Sequence, residues 1–252
     1  MIDPRMSFNS VEEFRSQTGG VLLVDKPQQW TSFDVVKKIR GMLRIPKVGH
    51  AGTLDPLATG LLILASQSWT RKLDVFQALE KVYEGTMRFG EVTPSYDSDT
   101  DVSEIHAFEH VTLDMLKEGA ASFVGAIEQL PPMYSAVKVG GKRLYAMARK
   151  GQTIERQPRS VTIDEFEILS YDAPDARFRI RCSKGTYVRS LAYDLGRQLG
   201  CGAHLTALRR TSIGAYSVDE AWSLDALSQH VRESESHALD PVVTHEVVDA
   251  DR

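Results

Sequence analysis

Cysteine is scarce. Cys182 and Cys201 are the two in 252 residues, and neither belongs to a CxxC pair. That argues against a disulfide framework or a thiolate zinc ribbon, and it reads as two reduced thiols in a cytoplasmic protein. Long apolar runs are also missing. The longest, Leu61 to Ala65, suits a buried strand and falls far short of a membrane span, so no membrane contact is expected. Met1 to Gln17 is polar and carries no apolar core of the signal-peptide kind. No internal repeat or low-complexity tract stands out.

Three short patterns lack what their chemistry needs. His106 to His110 matches HxxEH, but it lies in an acidic loop ahead of a helix cap, whereas zinc needs both histidines on one helical face and a third ligand. Asp97, Asp99 and Asp101 mimic a calcium loop, yet Val102 stands where glycine is required and Phe108 where glutamate is. Gly140-Gly141-Lys142 has Ala136 in place of the upstream glycine of a P-loop and Arg143 in place of Ser or Thr. No metal is expected.

The net charge of −4 is unevenly spread. Asp219 to Arg252 holds nine Asp/Glu against two Arg, and Glu91 to Glu118 holds eight against one Lys. Outside those two segments 27 basic residues face 17 acidic ones. A basic body with segregated acid fits a polyanionic partner, although charge clusters are also what solvated faces look like.

Strand and helix signals are mixed. Gly20 to Val24 and Leu61 to Ala65 read as buried strands, and Lys81 to Gly90 alternates. Ser32 is the expected N-cap of a helix over Phe33 to Leu43, and Thr112 of one running to about Phe123. Arg44 to Gly60 and Glu91 to Val111 read as loops, Tyr134 to Val139 as strand, and Arg143 to Lys150 as a short basic helix. Ala176 to Ser183 is a strand, and a helix with Val188, Leu191, Leu195 and Leu199 inward starts near Thr186. Ala203 to Tyr216 is the last strand region. Without strict βαβ alternation, the expected class is α+β with a mixed, mainly antiparallel sheet flanked by helices.

The informative stretch is Gly49-His50-Ala51-Gly52-Thr53-Leu54-Asp55-Pro56-Leu57-Ala58-Thr59-Gly60. Three glycines allow close backbone approach, Pro56 biases Asp55 toward extended geometry, and the strand from Leu61 anchors the loop. Local physics yields a carboxylate on a shaped loop and no reaction, since an Asp-Pro pair by itself is ordinarily a turn.

This loop closely resembles the catalytic motif of the bacterial tRNA pseudouridine-55 synthase family. The resemblance extends over Gly19 to Val218. It includes the opening strand Gly20 to Pro27, Lys81-Val82-Tyr83, Gln129 to Lys138, Cys182 to Arg189, and Gly200 to Leu205 continuing to Leu208-Arg209-Arg210, in the family's order. It implies the pseudouridine synthase fold with a thumb insertion, and isomerisation of uridine 55 in the T-loop of tRNA after base flipping. Breaking N1–C1′ and joining C5 to C1′ adds no atom and involves no redox change, so no cofactor is expected.

The same resemblance assigns roles. Asp55 is the nucleophile, attacking C1′ or C6; Arg189 pairs with it; Tyr83 stacks on the uracil and is a candidate base for the C5 proton. Tyr187 and Leu208 line the uridine pocket, and His50 enters the T-loop where the target base lay. Lys138, Lys142, Arg143, Arg149 and Lys150 in the thumb, about 131–159, are candidates for RNA-backbone contacts, and Lys26 reads as structural or close to a phosphate. The expected organisation is an extension over 1–18, a catalytic domain over 19–218, and an acidic tail over 219–252, on the surface or disordered. That tail is too short for the PUA domain of many relatives. tRNA, through its T-arm, is the expected partner, with no obligate protein partner. A guide-RNA-dependent relative and a non-catalytic tRNA-folding protein on this scaffold are the alternatives.

Overall fold

The alternating run Lys81–Phe89 and the run Asp175–Cys182 pair along their whole lengths to form the middle of one sheet. The computed structural model describes residues 9–135, 138–139, 142–143, 147, 152 and 154–237. In chain order the elements are α1 (Val11–Arg15), β1 (Val21–Lys26), α2 (Ser32–Leu43), β2 (Val48–His50), β3 (Thr59–Ser66), a 3-10 turn (Gln67–Lys72) and α3 (Leu73–Ala78). There follow β4 (Lys81–Phe89), the hairpin β5 (Glu91–Val92) and β6 (Glu104–Ile105), α4 (Leu113–Ala121), β7 (Gly125–Gln129), β8 (Lys138–Val139) and β9 (Lys142–Arg143). The described chain ends with β10 (Arg159–Asp172), β11 (Asp175–Cys182), α5 (Val188–Gln198), β12 (Ala203–Ile213), β13 (Tyr216–Ser217), β14 (Trp222–Ser223) and α6 (Leu224–His237).

The main sheet runs β14-β1-β3-β12-β4-β11-β10-β7, with β13 on β12 and β2 on β3. Among the described strands of this sheet the β1–β14 and β3–β12 pairings are parallel and the rest antiparallel, so the class is α+β with a mixed, mainly antiparallel sheet. β1 and β3 bury both faces. Leu22, Val24, Leu62 and Leu64 pack under α1, α2 and α6, while Val21, Leu23, Leu61 and Ile63 pack against Trp69 and Phe76. Burial on two sides explains their unbroken apolar runs. β4, β10, β11 and β12 instead turn one face to α4 and α5.

Several local expectations shift by a residue or an element. The cap of α2 is Thr31, one residue earlier than expected, because Asp34 three residues on completes a capping box with it. β2 lies inside the stretch read as loop, and β5–β6 inside the acidic one. Lys138–Val139 pairs with Lys142–Arg143, so Arg143, expected to start a helix, lies in a strand, and most of that expected helix lies outside the described residues.

The described parts of the end segments, 9–18 and 219–237, pack into the fold. Val11 and Phe14 are buried, and the Asn9 side chain accepts from the Leu23 N–H. Trp222–Ser223 extends the sheet, and Leu227 and Val231 of α6 join the cluster under α2. Leu224, Leu227 and Val231 recur at helical spacing, so apolar burial outweighs the acidic composition that made this segment read as a tail. Leu227→Ala is expected to lower unfolding free energy by roughly 2–5 kcal/mol. Urea denaturation checks this, and an unmoved midpoint would contradict it.

Candidate active site

The loop that joins antiparallel β2 and β3 carries Asp55, and contacts to its backbone from the end of β1, the following turn and the start of α2 hold it. The Ser32 hydroxyl, released from capping duty by Thr31, accepts from the Leu54 N–H at 2.9 Å and reaches the Leu54 carbonyl at 3.3 Å. The Gln29 N–H donates to the Pro56 carbonyl at 2.8 Å. Lys26 is fully buried, and its ammonium donates to the carbonyls of Pro27, Trp30 and Pro56. Lys26 is therefore a bracket between β1 and the Asp55 loop, which makes it structural rather than a phosphate contact. Burial lowers it to about 8, against the pull of Asp55.

Close approach sets the other end of the loop. Gly60 has φ 102°, and a Cβ there would lie 2.3 Å from the Arg210 carbonyl oxygen. Only glycine lets β3 meet β12 at this point. The register places Gly60 opposite Arg210, and Arg210 opposite Tyr83 on β4, so the sheet brings loop, guanidinium and phenol together.

Arg189, at the start of α5, is 4% exposed. Its Nε lies 2.9 Å from Asp55 Oδ2 and 3.4 Å from Asp97 Oδ2. Its two terminal nitrogens donate to the carbonyls of Ser95 and Tyr134, each at 2.9 Å. All three nitrogens are engaged, which fixes the fork and through it the Asp55 carboxylate. Asp97 is buried, and burial pushes its carboxyl above the usual range even though Arg189 pulls it down.

Asp55, Tyr83, Tyr187, Arg189 and Leu208 line one cavity of about 510 Å³, joined by Lys81 and Arg210. Asp55 keeps 40% of its side chain exposed, so it faces the opening while its partner does not. Tyr83 is buried, and burial pushes its phenol up while the positive charge of nearby Arg210 pulls it down. His50 lies on β2 outside the cavity lining. It is half-buried, and burial pushes its imidazole down. The side chains of Lys138, Lys142 and Arg143 lie outside the described residues, as do Arg149 and Lys150 entirely.

Sequence reasoning missed three residues. Asp97 sat in the acidic stretch read as loop, where it figured only in a failed calcium pattern, and the structure places it on Arg189. Arg210 is 1% exposed and forms no ion pair among the described residues; Nε donates to the Leu61 carbonyl at 2.7 Å and a terminal nitrogen to Gly52 at 3.2 Å. Lys81 is 5% exposed and donates to the carbonyls of Gln77 and Leu79 that end α3. All three are charged groups in a region that sequence alone cannot tell from surface.

Residues 40–188 match the model of the TruB family pseudouridylate synthase N-terminal domain. This chain belongs to the TruB family. Residues 189–245 match the tRNA pseudouridylate synthase B C-terminal domain. The chain is 44% identical to tRNA pseudouridine synthase B of Parabacteroides distasonis over 86% of this chain and 94% of that protein. It is 47% identical to the protein of that name from Flavobacterium johnsoniae, over 81% and 92%. Among solved structures, a chain of a Cbf5-Nop10-Gar1 complex superposes with TM-score 0.71 at 29% identity, over 95% of this chain and 63% of that one. The fold is thus that of pseudouridine synthases, and among the described residues no helix is long and apolar enough to cross a membrane.

Burial lowers Lys81 to about 8 from 10.5. Between those values the unfolded chain still holds the proton and the folded chain has released it, so stability rises with pH across that window. Lys26, also lowered to about 8, acts in the same direction. Lys81→Met is expected to show a shallower rise of the urea midpoint across this range than wild type, and identical slopes would contradict it.

Proposed function

We propose that this chain isomerises uridine 55 in the T-loop of tRNA to pseudouridine, with Asp55 as nucleophile. The observation that carries the reading is the 2.9 Å pair between Asp55 and a buried Arg189 at the mouth of an aromatic-lined cavity, in a chain of this family. The relatives at 44% and 47% identity, matched over more than nine-tenths of their lengths, are named for tRNA.

The uridine leaves its stack and enters the cavity. A flipped base costs a few kcal/mol, which stacking on Tyr83 and contact with Tyr187 and Leu208 offset in part. His50, at the edge of the loop, fills the space the base vacates. Arg189 holds Asp55 aimed, so the carboxylate attacks C1′ or C6 while N1–C1′ breaks. The base turns within the cavity, C5 bonds to C1′, the C5 proton departs, and N1 takes one up. Burial keeps the Tyr83 phenol neutral before the reaction, so it stacks in that form; to take the C5 proton it would first give its own proton to N1, the adjoining Arg210 stabilising the phenolate until the C5 proton replaces it. The T-arm is the segment recognised, in the cytoplasm, with thumb cations on the backbone and no obligate protein partner.

The test uses the purified chain and unmodified tRNA carrying 5-tritiated uridine. Wild type is expected to release tritium at one position of the T-loop. Asp55→Asn is expected to drop release to background while still binding tRNA. Tritium release retained in that variant would overturn the nucleophile assignment.

A further inference from the structure

α2 buries Val35, Val36, Ile39 and Leu43 against the sheet, and its outer surface is not an ordinary solvated one. Phe33, Lys37, Arg40 and Arg44 are all exposed. At 3.6 residues per turn Phe33, Lys37 and Arg40 fall within about 60° of arc, a single stripe, and Arg44 follows at the C-cap with a left-handed backbone. Phe33 begins it with 64% of its surface exposed, an aromatic that the core does not use. Lys47, also exposed, follows in the connection to β2.

The charges along this stripe repel one another. Lys37 and Arg40 stand three apart and Arg40 and Arg44 four apart, spacings at which like charges destabilise a helix. An ordinary surface helix would place Glu between them. Asp34 is the one acid on α2, near Lys37, and its carboxylate already accepts from the Thr31 N–H and hydroxyl in the capping box. Among the described residues no ion pair involves Lys37, Arg40, Arg44 or Lys47.

The stripe is also tied to the site at both ends. Ser32, one residue before Phe33, holds the Leu54 backbone beside Asp55. Beyond Arg44 the chain leads within a few residues into β2, which carries His50. We propose that this face of α2 is a docking surface for the sugar-phosphate backbone of the RNA strand that carries the flipped uridine, with Phe33 stacking on one of its bases. The inference rests on the reading of the chain as a tRNA-modifying enzyme and adds where the polyanion lies outside the cavity. Cations on phosphate supply position and salt dependence, and an exposed aromatic supplies sequence-tolerant stacking.

The experiment measures dissociation constants for unmodified tRNA by filter binding across a salt titration. The variants are wild type, Lys37→Gln/Arg40→Gln/Arg44→Gln, Phe33→Ala, and a control pair, Lys117→Gln/Arg177→Gln, whose cations are exposed on α4 and β11. Three lost phosphate contacts are expected to make the log–log salt slope of the triple variant shallower by about 2, with binding much weaker at low salt. Phe33→Ala is expected to weaken binding roughly tenfold at every salt concentration and leave the slope alone. The control pair is expected to match wild type. Relieved of repulsion, the triple variant is expected to melt no lower than wild type.

A wild-type slope and affinity in the triple variant would overturn the docking surface, and so would a control pair that loses as much slope. Unchanged binding by Phe33→Ala would overturn the stacking role. These failures are distinct from failure of the proposed function, in which wild type itself would release no tritium from tRNA.

Discussion

Arg189 places a permanent cation in a nearly dry wall between two carboxylates of opposite circumstance. Asp97 is buried with it, and Asp55 looks out of the same contact into the cavity. A buried guanidinium left without a carboxylate is strongly unfavourable, and so is a buried carboxylate left without a cation. Asp97 therefore binds Arg189 in place as much as Arg189 binds Asp97. The Ser95 and Tyr134 carbonyls complete the coordination, so the Nε that reaches Asp55 has little freedom to turn away. The Asp55 carboxylate is thus oriented from behind by this cluster.

The rest of the fold delivers the parts of that cluster. β4 and β12 pair so that Tyr83 and Arg210 face one another, and β3 joins β12 through Gly60 at the root of the Asp55 loop. Lys26 and Ser32 tie the loop to β1 and α2 by its backbone, leaving the Asp55 side chain to pair with Arg189 at the cavity. Lys26, Lys81 and Arg210 make the buried surroundings of the cavity cationic at neutral pH. That field suits a polyanionic substrate and a uracil that carries negative charge once its glycosidic bond opens. Lys26 and Lys81 are held by backbone carbonyls alone, which is why burial depresses both so far.

Much of this was legible in the sequence, for identifiable reasons. Asp55, Tyr83, Tyr187, Arg189 and Leu208 lie in compact motifs, each on or beside an element whose apolar periodicity is clear, and they converge on one cavity. Asp97 was not legible because its partner is distant in the chain and its neighbours are acids that ordinarily sit in water. Ser32 read as a cap by residue type, but a Thr followed three residues later by Asp outcompetes it, and the freed hydroxyl serves the catalytic loop. α6 was obscured by composition: its acids lie outward while Leu227 and Val231 are buried. The strand carrying His50 was invisible because Val48–His50 is too short to alternate and is made by pairing with β3.

The claim that Arg189 is the shared anchor of Asp97 and Asp55 is tested most directly by a double-mutant cycle on kcat for tritium release at saturating tRNA, using Asp97→Asn, Arg189→Lys and the double variant. If Asp97 acts only by holding Arg189, each single variant slows the reaction and the double variant is no slower than Arg189→Lys alone. Losses that multiply in the double variant would contradict the account.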